Sequence, residues 1–474
     1  MKRHAAVALA ATLALTGGAH AQTNQELKAT LEQAMKTIAD LQQRVKALEE
    51  QKAAKPPATA PGAAPAATAP ATPATAGTGG AAPAASAAAP APAGAPVIAV
   101  GSVAQEGAKE PEKARVEFYG HVMLDAIYDG KQMNPDWSAT MRPSQIPIIC
   151  PGSPGCGRDG ATVFSVRQSS LGFKSFIPTS LGEIKTDMSF DLFGTNGGTQ
   201  VHWLNAWAEL GMVGAGQTYT NFMDIDVFPN TIDYWGPSGM VFVRNPQLRV
   251  TPWNKDGMSV SVSLESPNSA IDTGKISRVD PALGSGISGW NKLPDLVGAV
   301  RVDRDWGHVK AAAIARQVGY QNTASANGEP SGSRAGYGLN LSGAFKLLGR
   351  DKLSWQVASG KGIASYMNDG GVDLAPDAAL KAEAVTSLGW LVYYGHAWND
   401  KWTSSIGYSE HRQTNTDGQM FTAFHKGSYS SVNLLYALAG NVMVGGELIW
   451  GRLENKLGMT ADDYRFQFST KVSF

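Results

Sequence analysis

The last eleven residues alternate without a break. Tyr464, Phe466, Phe468, Thr470, Val472 and Phe474 fall on one face; Arg465, Gln467, Ser469, Lys471 and Ser473 fall on the other. A period of two over a whole segment predicts a β-strand with one apolar and one polar side. A strand that closes a barrel in lipid has this form, because its outward side chains meet hydrocarbon and its inward ones meet water. The stretch 115–129 repeats the pattern. Val116, Phe118, Val122, Leu124, Ala126 and Tyr128 alternate with Glu117, Tyr119, His121, Met123, Asp125 and Asp129. A polar face carrying Glu, His and Asp cannot lie unpaired in a dry core, but it can line water.

The breaks between such stretches come in two lengths. Short ones fall near Pro178–Gly182, Gly211–Met212, Asn254–Gly257, Arg304–Gly307, Gly349–Asp351, Asn399–Asp400 and Gly440–Asn441. Longer stretches rich in Gly, Ser, Asn and Pro fall near 130–160, 194–200, 221–239, 265–294, 317–335, 359–380, 412–426 and 454–460. Seven turns and eight loops make fifteen connections, hence sixteen strands with both ends on the short-turn side. The expected fold is all-β, a 16-stranded antiparallel transmembrane β-barrel over 115–474. The weak patterning of Gly214–Thr220 and 240–253 leaves the count open by about two strands. Tyr128, Tyr393, Trp398, Trp402, Tyr408, Trp450 and Phe474 lie near expected strand ends, where aromatic girdles form.

Ahead of the barrel lie three unlike segments. Met1-Lys2-Arg3-His4, an apolar run from Ala5 to Leu15 and Ala19-His20-Ala21 read as a signal peptide over 1–21. Its apolar run is too short to span a bilayer. In 24–50, Leu31, Ile38 and Val45 take heptad position a, and Leu27, Ala34, Leu41 and Leu48 take position d. A single amphipathic helix on a globular domain shows the same stripe, but the narrow seam and wholly polar outer face favour a coiled coil. At about three heptads it is marginal alone, so chains must be held together elsewhere. Residues 53–98 are almost entirely Ala, Pro, Thr and Gly and read as a disordered linker, with a reach on the order of 100 Å.

Composition narrows the function. The chain has 474 residues and zero formal net charge, which gives no footprint for a nucleic-acid partner. The two cysteines, Cys150 and Cys156, share the first long loop of an exported chain and are expected to form a disulfide. There is no G-x-S-x-G, H-E-x-x-H or P-loop, and His202 with Asn205 makes no catalytic set without a placed serine. The expectation is a non-enzyme without cofactor or metal.

Parity places Arg249, Arg301, Lys310 and Arg316 on inward faces; Arg167 and Arg244 lie on or near strands with less certain facing. Lumenal Arg and Lys favour anions. The competing reading is that they balance the inward acids Glu183, Asp187, Asp191, Glu209 and Asp303. Loop 221–239 is too apolar for a free surface loop. Phe222, Phe228, Tyr234 and Trp235, with Asp224, would find shelter as a lumenal constriction, or equally packed across the mouth or against a neighbouring subunit.

The whole plan resembles the DcaP-like family of trimeric outer-membrane porins. The carrying residues are the first strand Val116–Val122, Ser170–Phe173, the string Gly216-Gln217-Thr218-Tyr219-Thr220-Asn221-Phe222-Met223-Asp224 and the terminal Phe474, together with the coiled coil and Ala/Pro linker. The resemblance implies a homotrimer in outer-membrane lipid, periplasmic coiled coils, and passive uptake of small organic anions such as dicarboxylates. Tyr464, Phe466, Phe468, Val472 and Phe474 resemble the signal by which the outer-membrane barrel assembly machinery recognises its clients. The alternatives are a general or phosphate-type diffusion porin, or a structural tether between outer membrane and cell wall whose pore is secondary.

Overall fold

The computed structural model describes residues 113–194 and 198–474, together with the backbone of a short strand, Val97–Ala99. The expected signal peptide, coiled coil and most of the linker lie outside the described residues. Val97 and Ile98, at the linker's end, run as strand and pair with Glu117 and Val116.

Sixteen antiparallel strands close into a barrel. They are β1 Arg115–Asp129, β2 in two pieces (Ala161–Ser165 and Ser170–Thr179), β3 Gly182–Asp191, β4 His202–Leu210 and β5 Val213–Tyr219. Then come β6 Arg244–Lys255, β7 Met258–Glu265, β8 Asp295–Arg304, β9 Gly307–Asn322, β10 Gly332–Lys346 and β11 Lys352–Lys361. The last five are β12 Thr386–Ala397, β13 Trp402–Thr414, β14 Phe424–Ala439, β15 Val442–Asn455 and β16 Thr460–Ser473. Each pairs with its neighbour in sequence, and β16 returns to β1 with Ser473 opposite His121 and Arg465 opposite Asp129. Closure leaves neither terminal strand with an open edge along this seam.

The alternation survives in three dimensions. On β16, Tyr464, Phe466, Phe468 and Val472 are exposed on the outer wall, while Arg465, Gln467 and Ser469 are buried within. On β1, Val122, Leu124 and Tyr128 point out, and Asp125 and Asp129 point in and are buried. An unbroken apolar belt around a closed sheet is a lipid-facing surface. One girdle expectation is corrected. Tyr393 pairs with Ser354 and Gly407, faces inward and is buried, with its hydroxyl 3.5 Å from Ser431 Oγ.

The two ends of the barrel differ in their connections. At one end the turns are tight. Asp256 and Gly257 join β6 to β7 with φ of 54° and 64°. Two successive positive φ values are the signature of a type I′ hairpin, whose twist matches its strands. At the other end the loops are long, and several fold inward. Residues of the first, third and sixth loops (Met141, Phe222, Met240, Phe242, Tyr366) form an apolar core inside the barrel. It packs against inward-facing wall residues such as Val297, Ile314, Leu391, Tyr429 and Ile449. Those wall positions are apolar because a folded loop, not water, covers them.

The β1–β2–β16 seam is close-packed at Gly120. A Cβ there would lie 2.4 Å from Ser170 O and 3.0 Å from the Phe474 ring. Gly120 also exchanges backbone hydrogen bonds of 3.1 Å with Phe474 in both directions. Gly120→Val is expected to cost about 1–3 kcal/mol by overpacking. Thermal unfolding of the purified barrel checks this: a wild-type midpoint would contradict the packing described.

Candidate functional site

The lumen is organised by the third long loop, residues 220–243. Its backbone bonds to inward side chains around the wall. Asn221 N donates to Glu265 Oε1 (2.8 Å), Ile232 N to Glu447 Oε2 (2.7 Å) and Gly239 N to Ser409 Oγ (2.7 Å). The wall donates in return: Asn340 Nδ2 to Phe222 O (2.7 Å), Asn433 Nδ2 to Asn230 O (2.6 Å) and Gln467 Nε2 to Ile232 O (2.9 Å). Phe222, Asp224, Phe228, Tyr234 and Trp235 are all buried. The loop therefore folds into the barrel.

Two aspartates pin it. Asp224 accepts from Ser342 Oγ at 2.8 Å and lies 2.9 Å from His308 Nε2. Burial alone would push its carboxyl up; His308, with Lys310 and Ser342, holds it below the ordinary range. Asp233 accepts from Thr140 Oγ1 (2.9 Å), Met141 N (3.0 Å) and Tyr429 OH (3.2 Å), which ties the third loop to the first. Its complete burial pushes the Asp233 carboxyl up, against the pull of nearby Arg465. The first loop is tied in turn to the sixth through Arg142 Nε and Asp369, 3.0 Å apart. Its tip is closed by the expected Cys150–Cys156 disulfide.

Of the six cations expected to guide anions, three come together. Arg301 on β8 lies directly opposite Lys310 on β9, and Lys310 lies within electrostatic reach of Asp224, Arg249, Arg301 and Glu265. Their commitments differ. Arg301 is clamped by Asp303 (2.7 Å), Asp226 (2.5 Å) and Asp224 (3.4 Å). Arg249 donates to Gln247 Oε1 at 2.9 Å and Tyr219 O at 2.5 Å, and sits 5.5 Å from the centre of the Trp207 ring. Lys310 donates to Met223 O at 2.5 Å. The hydrogen bonds of Arg249 and Lys310 thus go to neutral oxygens, and among the described residues neither has a carboxylate within ion-pair distance.

The other three are corrected. Arg316 faces inward as expected but has no exposed side chain, and it is ion-paired with Asp295 (3.1 Å) and Asp373 (3.4 Å). Arg167 lies in the gap between the two pieces of β2, buried against the Phe193 ring at 4.1 Å and bonded to Gly194 O. Arg244, at the start of β6, is held against the loop core: it donates to the Tyr219 hydroxyl at 2.5 Å and lies over the Tyr219 and Phe242 rings at 4.1 and 5.8 Å. Sequence parity could not see the carboxylates that loops bring to Arg316 and Arg301, since Asp373, Asp224 and Asp226 lie on no strand.

The acids divide similarly. Asp303 does balance a lumenal arginine. Asp187 accepts from Tyr119 OH (2.5 Å), Asp191 from Tyr234 OH (2.6 Å) and Glu209 from Trp207 Nε1 (2.7 Å); Glu183 lies 3.7 Å from Arg115. Asp224, Asp226 and His308 could each aim one ligand atom within 4.8 Å of the others, but both carboxylates are already ion-paired to Arg301.

No protein-family model and no curated protein matches the sequence. Solved structures do. The outer membrane channel DcaP of Acinetobacter baumannii superposes with a TM-score of 0.65 at 19% identity, covering 78% of this chain and 100% of that one. The chain has the DcaP fold. More distant likenesses are the anion-selective porin from Comamonas acidovorans (TM-score 0.45, 10% identity, 76% of this chain and 100% of that one) and Salmonella typhi OmpF (TM-score 0.47, 9% identity, 76% and 98%). In this DcaP-type barrel the string Gly216–Asp224 runs down β5 into the third loop. It delivers Tyr219, whose carbonyl holds Arg249, and Asp224, which holds Arg301 and His308.

Proposed function

We propose that the chain is an outer-membrane porin of the DcaP-like family, giving passive diffusion of small hydrophilic solutes with a preference for organic anions. The observation that carries this is the pair Arg249 and Lys310. They border the lumen beside the third loop, and their hydrogen bonds go only to neutral oxygens. A solute carboxylate would meet two cations already held in place by Tyr219, Gln247 and Met223, so little ordering is left for the encounter. Guanidinium and ammonium together suit a small dicarboxylate. Binding stays weak because the site borders water, which lets the solute leave. No energy source or cofactor is invoked. The barrel would assemble as a homotrimer through the outer-membrane machinery that reads Phe474, with the coiled coil in the periplasm. A second reading, a general porin with little charge preference, is favoured by one observation: three aspartates surround Arg301 and offset its charge.

Liposome swelling separates the two. Succinate should enter wild-type proteoliposomes faster than a four-carbon diamine, and Arg249→Gln with Lys310→Gln should bring the two rates together. Equal wild-type rates would favour the general porin, and a difference that survives both substitutions would remove the pair from the mechanism.

A further inference from the structure

The fourth long loop, between β7 and β8, does not fold into the lumen with the third. It carries two short helices, Ile276–Val279 and Pro281–Gly286, and it reaches both the sixth and seventh loops. Asp272 N donates to Leu374 O at 3.0 Å, and Lys275 N to Gly418 O at 2.8 Å. Two hollows meet along it. One is an apolar cavity of about 190 Å³ lined by Ile271, Ile276, Leu283, Leu374 and Leu380, with Val279 at its edge. The other is a cleft of about 380 Å³ that shares Val279 and adds Phe421, Leu457 and three cations, Lys275, Arg278 and Lys456.

Val279, Leu457 and Phe421 are 75%, 63% and 48% exposed, on loops rather than on the strands of the lipid-facing belt. Apolar side chains this exposed, contiguous and rimmed by charge mark a binding surface. The cations have no acid of their own. Lys275 Nζ donates to Asp417 O (2.6 Å), and Lys456 Nζ to Thr416 O (2.7 Å) and Gln419 O (3.0 Å). Among the described residues, no carboxylate lies within ion-pair distance of any of the three. Asp417 meets the two lysines through its backbone oxygen, Asp272 accepts from Gly274 N and Gln419 Nε2, and Asp280 caps the second helix at Leu283 N.

We propose that these loops bind a single-chain amphiphile with an anionic head. The head would lie in the cleft, where Lys275, Arg278 and Lys456 make charge-assisted hydrogen bonds. The tail would pass Val279 into the apolar cavity. That cavity is smaller than a drug-sized site, which fits one chain rather than several. The site is separate from Arg249 and Lys310, so it stands or falls independently of the porin reading.

The test uses the full chain in lipid nanodiscs, with empty nanodiscs as the reference, to keep detergent out of the groove. Laurate should bind saturably. Dodecyltrimethylammonium, with the same tail and the opposite head, should bind far more weakly, and so should succinate, an anion without a tail. Lys275→Gln, Arg278→Gln and Lys456→Gln together should weaken laurate binding roughly tenfold, at a modest exposed-charge contribution from each. Val279→Asp should weaken it independently. Wild-type conductance in both variants would show that each still folds. The proposal is overturned by equal binding of laurate and dodecyltrimethylammonium, or by unchanged laurate binding in both variants. It is also overturned if lipopolysaccharide binds saturably at these residues while laurate does not.

Discussion

Arg465→Met destabilises the folded barrel by about 3–5 kcal/mol, the usual cost of breaking a buried ion pair by removing one partner. Arg465 is 1% exposed. Its Nε and Nη2 donate to the Asp129 carboxylate at 2.6 and 2.9 Å across the closing β16–β1 seam, and Nη2 also reaches Ser138 O at 3.1 Å. Asp233 of the third loop lies 4.0 Å from Nη1. Methionine fills much of the same volume but leaves the Asp129 carboxylate buried without its cation. The double variant Arg465→Met with Asp129→Asn should recover part of the loss, since it removes the orphaned charge as well. Equilibrium urea unfolding of the refolded barrel checks this. A single variant as stable as wild type would mean that water, not Arg465, satisfies Asp129. Because one guanidinium touches the seam, the first loop and the third, the loss should also appear as larger conductance fluctuations.

Removing residues 226–239 of the third loop raises single-channel conductance several-fold. The segment fills the lumen with Phe228, Tyr234 and Trp235, all buried, and bonds to the wall from β13 to β16. Without it, inward side chains such as Glu447, Ser409 and Gln467 return to water, which is where polar groups of that kind are stable. The barrel should survive, because the strand ladder and outer belt do not pass through this loop. Conductance in planar bilayers, alongside heat-resistance of the folded form, separates the outcomes. Unchanged conductance in a folded variant would show that the solute path lies elsewhere.

Much of this fold is legible in the sequence because a barrel wall carries its two environments on alternate residues. On β1 and β16 polar groups such as Gln168, Ser138 O and Ile232 O meet much of the inner face, so Asp125, Asp129, Arg465 and Gln467 stand out against Val122, Tyr128 and Phe466. Turn chemistry did the rest, as at Asp256–Gly257. The signal fails where a loop supplies a second, apolar lining. Leu391, Tyr393 and Ile449 face inward yet are apolar, and position near a strand end alone assigns Tyr393 to the girdle. The site is less legible than the wall. Parity found Arg249, Arg301 and Lys310, because facing depends only on strand register. It could not weigh them, because their partners come from elsewhere in the chain. Asp224 and Asp226 neutralise Arg301 from a loop, and Asp373 does the same to Arg316 from another. The apolarity of Phe222, Tyr234 and Trp235 did announce that the third loop needed shelter, though not which shelter.

On the function proposed above, Arg249 and Lys310 bias the lumen toward anions. The most direct measurement is the reversal potential of the wild-type protein in a planar bilayer under a potassium chloride gradient. The expected potential has the sign set by chloride and falls toward zero as salt rises and screens the lumenal charges. A potential of the sign set by potassium would contradict it.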